Sequence, residues 1–475
     1  MVLVGCSSAT NGQPDAASPS SDGAVATCDA CVDADASTDT ATITVDRTKP
    51  TIALSSAFTG FSYEKSMMTT PYFSTNNTNL VGLFQRLGSG GIVRIGGNSV
   101  DQTQWNHTGA GQTAGQVAPP DIDMLAAFLR ATGWKVLYGI DFVTSHASAG
   151  AAEATYAASS LGDRLYAFEV GNEPNDYSKN GDEPSTYTYE DFRTAWEGFA
   201  SAITTSAPGA VMSGPATSGF DGETTWTIPF AADEAQAISL LTQHYYIASG
   251  TDPASTISKM LTPDPLLPSN LAQLYTAAHS LGQGFRLTET NSFASGGVVG
   301  VSDTFASALW AVDFLLTVAQ GGASGVNFHG GKNTYSPIAI DANCNVIGVQ
   351  PLFYGMLLFD AAANGNLLVT TVTTTASSLT AYVVDENDAS TDAVAVNTSM
   401  DQSVVLSIDF GRTVGAATLL TMTGPALDST TGVELGSASI GLDGTWMPTA
   451  TPAAVSGTTV TTTLAPASAV LVRAQ

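Results

Sequence analysis

The clearest pattern in the chain is a repeated change of period. From about residue 57, short apolar runs of strand character alternate with longer segments whose apolar residues fall at helical spacing. Eight such runs can be read, over 59–64, 91–97, 135–142, 165–173, 210–215, 238–246, 284–289 and 325–330. Between them, 120–132 and 189–206 read as amphipathic helices, and 302–320 as a helix grading from amphipathic to buried. Eight strand-then-helix units predict a (β/α)8 TIM barrel, an α/β fold with its strands parallel. After about residue 360 the texture changes to runs rich in Val, Thr, Leu and Ala separated by Gly, Asp and Asn: 367–375, 379–385, 393–397, 403–410, 416–423, 458–464 and 469–473. That spacing predicts a C-terminal all-β sandwich.

The expected organisation is therefore a leader and tether over 1–46, an N-terminal strand over 47–57, a catalytic barrel over 58–358 and a sandwich over 359–475. Residues 7–46 are rich in Ala, Ser, Thr and Asp and nearly devoid of large apolar side chains, so they cannot bury enough surface to offset their chain entropy. The stretch 42–57 reads as extended and is expected to add to the sandwich.

Cysteines add a compartment. Leu3-Val4-Gly5-Cys6 resembles a bacterial lipobox, with only Met1 and Val2 before it, and is read as a shortened lipoprotein leader. The protein is then expected to be exported, as a cell-envelope lipoprotein or extracellular, touching a membrane only through a lipid on Cys6. Cys28 and Cys31 lack a second ligand pair nearby, so a local disulfide is read there in place of a metal site. Cys344 reads as a small core or loop residue. No stretch is long and apolar enough to span a bilayer as a helix. The formal charge of −27, from 15 Lys and Arg against 42 Asp and Glu, argues against nucleic acid and strongly anionic polymers as partners.

In a TIM barrel, chemistry sits at the C-terminal ends of the strands. Two strings place a carboxylate there: Phe168-Glu169-Val170-Gly171-Asn172-Glu173-Pro174-Asn175 on strand four and Leu287-Thr288-Glu289-Thr290-Asn291 on strand seven, each read as breaking into a polar loop at that point. Two facing carboxylates are the minimum equipment for cleaving a glycosidic bond. Pro174 biases Glu173 away from helical backbone angles, which fits a general acid/base at a defined strand end. The Asn172 amide is placed to meet a sugar hydroxyl. Glu169, four residues before Glu173, reads as structural, and Glu289 reads as the nucleophile. His244, His279 and His329 lack metal spacing and read as packing or supporting groups, with His329 lining the pocket. Trp105 is the tryptophan singled out for sugar stacking; Trp196 and Trp310 read as core.

Taken with Gly60-Phe61-Ser62-Tyr63-Glu64, Val93-Arg94-Ile95-Gly96-Gly97-Asn98-Ser99, Gln243-His244-Tyr245-Tyr246, Gly296-Gly297, Ser302-Asp303-Thr304-Phe305 and Val326-Asn327-Phe328-His329-Gly330-Gly331, these strings resemble glycoside hydrolase family 79, the heparanase and β-glucuronidase family of the retaining clan A. The resemblance implies Glu173 as acid/base, Glu289 as nucleophile and Asn172 at the sugar 2-OH. It implies Glu64 and Asp101 holding sugar hydroxyls, and Tyr245 donating its hydroxyl to the nucleophile. Gly296 and Gly297 would present backbone N–H groups to a uronate carboxylate with help from the Tyr335 hydroxyl, a nest that needs no basic side chain. The implied activity is a retaining exo-β-glucuronidase acting on a carbohydrate substrate, with no metal or organic cofactor. One departure stands out: family members often carry a tyrosine five residues after the nucleophile, where this chain has Ala294. That leaves a neutral β-glycoside as an alternative substrate, and a non-catalytic carbohydrate-binding lipoprotein as an alternative of another class. Without basic flanks, cleavage of a sulfated polymer is disfavoured.

Overall fold

The computed structural model describes residues 38–475. The lipobox at Cys6 and the Cys28–Cys31 pair lie outside the described residues. Eight parallel strands close into a barrel in chain order: Thr59–Glu64, Ile92–Gly96, Lys135–Ile140, Leu165–Val170, Met212–Thr217, Ile238–Ser249, Gly284–Ala294 and Val326–His329, the last pairing back onto the first. They are called here strands one to eight. Helices follow them, among them Pro119–Thr132, Tyr189–Ser206, Leu267–His279, Phe305–Gln320 and Pro351–Ala362. Local chemistry fixes their ends: Asp121 and Asp191 each accept a backbone N–H three residues back, at Ala118 and Thr188, and Gly133 closes the first of these helices in the left-handed conformation.

Strands six and seven run past the predicted limits at residues 246 and 289, to Ser249 and Ala294. The polar string Thr290-Asn291-Ser292 was expected to be a loop. It stays in the strand because its polar groups find partners inside: Thr290 Oγ1 donates to Tyr245 O at 2.6 Å, and the Asn291 amide donates to His329 O at 3.0 Å and Tyr335 O at 3.1 Å. The strand ends only where Ser295, Gly296 and Gly297 turn to positive φ.

Near the N-terminal end of the barrel, the buried Arg286 guanidinium donates to Asn327 Oδ1 and to the carbonyls of Ala57, Phe58, Val326 and Ser324. Burial holds its pKa down to about 10. Neutral carbonyls thus satisfy a cation without a carboxylate. Glycine makes the room: a Cβ on Gly325 would stand 1.9 Å from Arg286 Nη1, and its φ of +157° is already outside the usual range for other residues.

The sandwich consists of two sheets. One orders Val369–Thr374, Asp39–Asp46, Val404–Asp409, Thr459–Leu464 and Ala454–Ser456; the other centres on Leu379–Glu386, Thr391–Asn397, Ser468–Ala474 and Ala417–Thr423. Period-two alternation shows which face goes where. Val383, Ala393, Ala395 and Val472 join Ile43, Leu406, Ile408 and Val460 in the core between the sheets. Their neighbours Tyr382, Val384, Val394, Val396 and Leu471 face the other way and join the barrel core. The second sheet is therefore buried on both sides.

The N-terminal boundary differs from expectation. A strand forms at Asp39–Asp46, overlapping the extended stretch from residue 42 but starting three residues earlier within the tether, and pairs antiparallel with Val369–Thr374 and parallel with Val404–Asp409. Ile52–Ala53 then crosses to the other sheet, beside Gly365–Leu367. In the first of these strands only Ala41 and Ile43 point fully inward, so its polar composition masked where it begins.

Gly325→Ala should lower folding stability by about 3 kcal/mol, since the added methyl meets the Arg286 guanidinium in a packed site. Urea denaturation followed by tryptophan fluorescence measures it; a midpoint equal to that of the parent chain would contradict the reading of the barrel floor.

Candidate active site

Three residues past strand four, Glu173 is held in an unusual conformation. The Pro174 argument anticipates extended backbone, yet Glu173 sits left-handed at φ 52° and ψ 54°. Its N–H donates to Ala216 O at 2.9 Å and its carbonyl accepts from Asp176 N at 2.8 Å. Such backbone costs about 1–3 kcal/mol for a non-glycine residue and persists only where its surroundings enforce it. It aims the carboxylate into the barrel mouth, with Oε1 2.9 Å from His244 Nδ1. Burial raises the Glu173 carboxyl to about 7, the neighbouring Asp176 charge adds to this, and Arg94 opposes it. Burial also pushes His244 down to about 4, so the imidazole is neutral beside the carboxyl.

Glu289, 8% exposed on strand seven, has different surroundings. Its Oε2 accepts from Arg94 Nη1 at 2.7 Å and its Oε1 from the Tyr246 hydroxyl at 2.9 Å. His329 Nδ1 stands 3.6 Å from Oε2. Arg94 also donates Nε to Glu169 Oε2 at 2.7 Å and Nη2 to Asn172 Oδ1 at 2.9 Å. Burial works against the Arg94 charge, but Glu169 and Glu289 outweigh it and hold the pKa above its ordinary value. One guanidinium thus fixes three side chains from strands four and seven. Gly96 leaves space for it, since a Cβ there would lie 2.4 Å from Arg94 Cζ.

One oxygen of Glu173, one of Glu289 and one His244 nitrogen all lie within 4.8 Å of one another. That spacing could enclose a cation. However, Arg94 already places a positive charge on Glu289 Oε2, and Tyr246 already occupies Oε1.

The remaining candidates divide. Glu64, at the end of strand one, accepts from Ser99 N at 2.7 Å and stands 3.6 Å from His329 Nε2. Burial would raise its pKa, but His329 and Ser99 outweigh that and bring it to about 2, so it is an ionised acceptor at the pocket wall. Asp101 is engaged by the protein itself: its oxygens accept from Phe142 N at 2.9 Å, Asn172 N at 3.1 Å and the Tyr177 hydroxyl at 2.8 Å. It braces Asn172, whose amide is further tied to Arg94 and, at 3.0 Å, to Asn98 Oδ1. Gly296 and Gly297 are both left-handed, at φ 86° and 85°. A Cβ on Gly297 would stand 3.0 Å from Tyr335 Cδ1, so the glycine turn and the tyrosine are in contact. The Tyr335 ring lies 6.1 Å, centre to centre, from that of Tyr246.

Tyr245 requires correction. Its hydroxyl donates to Asp264 at 3.0 Å, and its ring stacks on Phe314, outside the barrel. The hydroxyl that donates to Glu289 is that of Tyr246. The register between strands six and seven slips between Gln243 and His244, and from there His244 and Tyr246 face the pocket while Tyr245 faces out. Arg94 and His244 also received no catalytic-site role from sequence. An arginine inside the apolar run Ile92-Val93-Arg94-Ile95 was a usable signal, because a buried guanidinium must find acceptors. Trp105 packs against Tyr156 at 5.6 Å between ring centres.

With this geometry in place, known proteins can be compared. No protein-family profile matches the chain. A β-glucuronidase of Aspergillus niger is 27% identical over 226 residues, 43% of this chain and 42% of that protein. A β-glucuronidase of Neurospora crassa is 31% identical over 133 residues, 26% of this chain and 23% of that protein. The chain resembles β-glucuronidases. The aligned part spans less than half the length of either curated relative. Among solved structures, a 4-O-α-L-rhamnosyl-β-D-glucuronidase from Fusarium oxysporum aligns with a TM-score of 0.74 at 19% identity, over 91% of this chain and 99% of that one. A family 51 arabinofuranosidase from Xanthomonas axonopodis pv. citri aligns at 0.70 and 16% identity, over 92% and 100%. These two likenesses show the fold: an eight-stranded barrel with an accompanying β-sandwich.

Tyr246→Phe should reduce kcat on an aryl glycoside substrate by about 10- to 100-fold, the value of a hydrogen bond to a charged group, while Tyr245→Phe should leave it within about twofold. Steady-state kinetics of the two variants side by side decide the assignment; equal effects would remove it.

Proposed function

We propose that this protein is a retaining exo-β-glucuronidase. The observation that carries the reading is the asymmetry of two carboxyl groups with oxygens within 4.8 Å. One is raised by burial to about 7, and the other is held by a guanidinium and a tyrosine hydroxyl. Pairs pushed apart in this way divide into acid and nucleophile. Such a close approach supports the retaining reading, since retaining enzymes hold their two carboxyl groups about 5–5.5 Å apart and inverting ones leave roughly 6.5–9.5 Å for a water.

In the first step Glu173 protonates the departing glycosidic oxygen as Glu289 attacks the anomeric carbon, breaking the glycosidic bond and forming a glycosyl ester. In the second step Glu173, now ionised, takes a proton from water, which displaces Glu289 and releases the sugar with its configuration retained. Tyr246 and Arg94 stabilise the Glu289 carboxylate as it departs. Asn172, locked by Arg94, Asn98 and Asp101, is placed for the 2-OH, and Glu64 for a further hydroxyl.

Recognition of glucuronate is supported by the left-handed Gly296-Gly297 turn against Tyr335, a donor nest without a basic side chain, and by the likeness to curated β-glucuronidases. A neutral sugar is favoured by one observation: the Gly297 N–H already points to Ala294 O at 3.4 Å, and Ala294 brings no hydroxyl. We also read the protein as exported, through a lipid on Cys6.

An aryl β-glucuronide assayed beside the matching β-glucoside tests the substrate. The glucuronide alone should turn over, and Glu289→Ala should lose about 10⁴-fold or more. Preference for the glucoside would remove the uronate assignment and keep the barrel chemistry. The pH profile tests the acid. A carboxyl raised to about 7 is protonated below that value and loses its proton as pH rises through it, so kcat/KM should fall above about 7. With a substrate whose leaving group needs no protonation, Glu173→Gln should show no such alkaline limb; a limb that persists would assign it elsewhere.

A further inference from the structure

The turn that closes strand seven is held from three sides, and one of the holds comes from strand six. Ser295, Gly296 and Gly297 are left-handed in succession, at φ 59°, 86° and 85°. Gly296 O accepts from Thr334 N at 2.9 Å, in the loop after strand eight. Val298 N donates to Ser302 Oγ at 3.0 Å, and the Ser292 hydroxyl donates to the same oxygen at 2.9 Å. Ser302 is 1% exposed, so this end of the turn is pinned from inside. At the other end Ala294 O accepts from Gly250 N at 2.9 Å, one residue past the end of strand six.

Ala294 O has two donors, and they are unequal. Gly250 N, at 2.9 Å, sits at the favoured distance for an amide donor, whereas Gly297 N, at 3.4 Å, lies beyond the usual range. One well-made bond already satisfies the carbonyl, although its second lone pair can take another donor. Without Gly250, that carbonyl would depend on Gly297 alone, and the bond closing the turn would tighten. With Gly250 in place, the Gly297 N–H has a poor bond to give up. A carboxylate is the stronger acceptor, because a charge-assisted bond outweighs a neutral one. The 3.4 Å contact therefore marks a donor held in reserve, not one already spent.

Close approach makes this possible. A Cβ on Gly250 would stand 2.5 Å from Ala294 O, and 3.1 and 3.3 Å from Gly297 O and C. All three are backbone atoms, so no change of rotamer would make room and the turn itself would have to move. We propose that Gly250 is a positioning residue for uronate recognition: its N–H takes over Ala294 O and so frees the Gly297 N–H for the sugar carboxylate. This rests on the glucuronidase reading above. Position 294 then contributes its carbonyl, and the released N–H stands in for the hydroxyl that alanine lacks. Glu289 lies five residues earlier on strand seven and is fixed separately by Arg94 and Tyr246. A disturbance at Gly250 thus reaches binding before chemistry.

The test compares the parent chain, Gly250→Ala and Ser302→Ala on an aryl β-glucuronide. Steady-state kinetics read KM and kcat, and calorimetry of the same intact glucuronide, in chains that also carry Glu289→Ala, reads the dissociation constant. Gly250→Ala should raise KM and the dissociation constant about tenfold or more, the value of a hydrogen bond to a charged group, with kcat kept within about threefold. Ser302→Ala, which loosens the far end of the turn without a clash, should move both in the same direction by about threefold or more. The proposal is overturned if a folded Gly250→Ala binds the glucuronide as the parent does, or if kcat falls by more than KM rises. Where Gly250→Ala does not fold, a Ser302→Ala chain that binds as the parent does overturns it. A parent that prefers the matching β-glucoside removes the uronate reading and this proposal together. A parent that prefers the glucuronide, with variants that bind equally well, removes the proposal alone.

Discussion

The site depends on a buried guanidinium. Arg94 lies wholly out of solvent on strand two and reaches Glu169, Asn172 and Glu289 at once. A buried charge of this kind is tolerable only when its donors are matched by well-placed acceptors, two of them carboxylates here. Removing Arg94 would leave two buried carboxylates without their cation, and removing any one acceptor would leave a buried N–H donor unpaired. The bonding that makes the charge tolerable also sets Glu289 and the amide beside Glu173 in a common frame. Glu169, four residues before Glu173, takes up the second carboxylate share of Arg94 and so lets Glu289 keep one oxygen for Tyr246.

The two catalytic candidates are treated oppositely by their environments. Glu173 faces a neutral imidazole and a nearby acid, with burial raising its pKa. Glu289 faces a cation and a hydroxyl donor. The distinction does not come from the carboxyl groups themselves, which are chemically alike, but from which strand end delivers which neighbour. The strained backbone at Glu173 belongs to the same arrangement, since a strand continuing in ordinary geometry would carry the side chain past His244.

Much of this was legible in the sequence. The eight barrel runs stand out because each apolar stretch is bounded by glycine or polar residues; Glu173 falls just past the end of strand four, whereas Glu289, read as a strand end, lies within strand seven. What escaped has physical causes. Thr290-Asn291-Ser292 reads as loop because composition reports polarity and not whether buried partners exist for it. Tyr245 and Tyr246 cannot be told apart without knowing that the register slips at Gln243, since one irregularity exchanges the two faces of a strand. The start of the strand Asp39–Asp46, before the extended stretch from residue 42, hid in polar sequence, because a strand with only two residues turned fully inward carries little hydrophobic signal. Asp101 reads as a sugar ligand until its three backbone and tyrosine donors are seen.

The position of that first strand bears on how the molecule is made. Its neighbours in the sheet come from the far end of the chain; the bond from Thr40 N to Thr375 Oγ1 joins residues 335 positions apart. The whole barrel is synthesised before either neighbour, so this segment waits unpaired through most of synthesis. Closing so long a loop adds little entropy beyond what a shorter one would require, but the wait exposes a strand edge to other chains. The threonines and flanking aspartates that disguise the strand in the sequence also keep it wet and unattractive to strangers until its neighbours emerge. Assembly of the sandwich is thereby the last event, and a molecule whose final hundred residues are lost would be left with an orphaned beginning as well as a missing end.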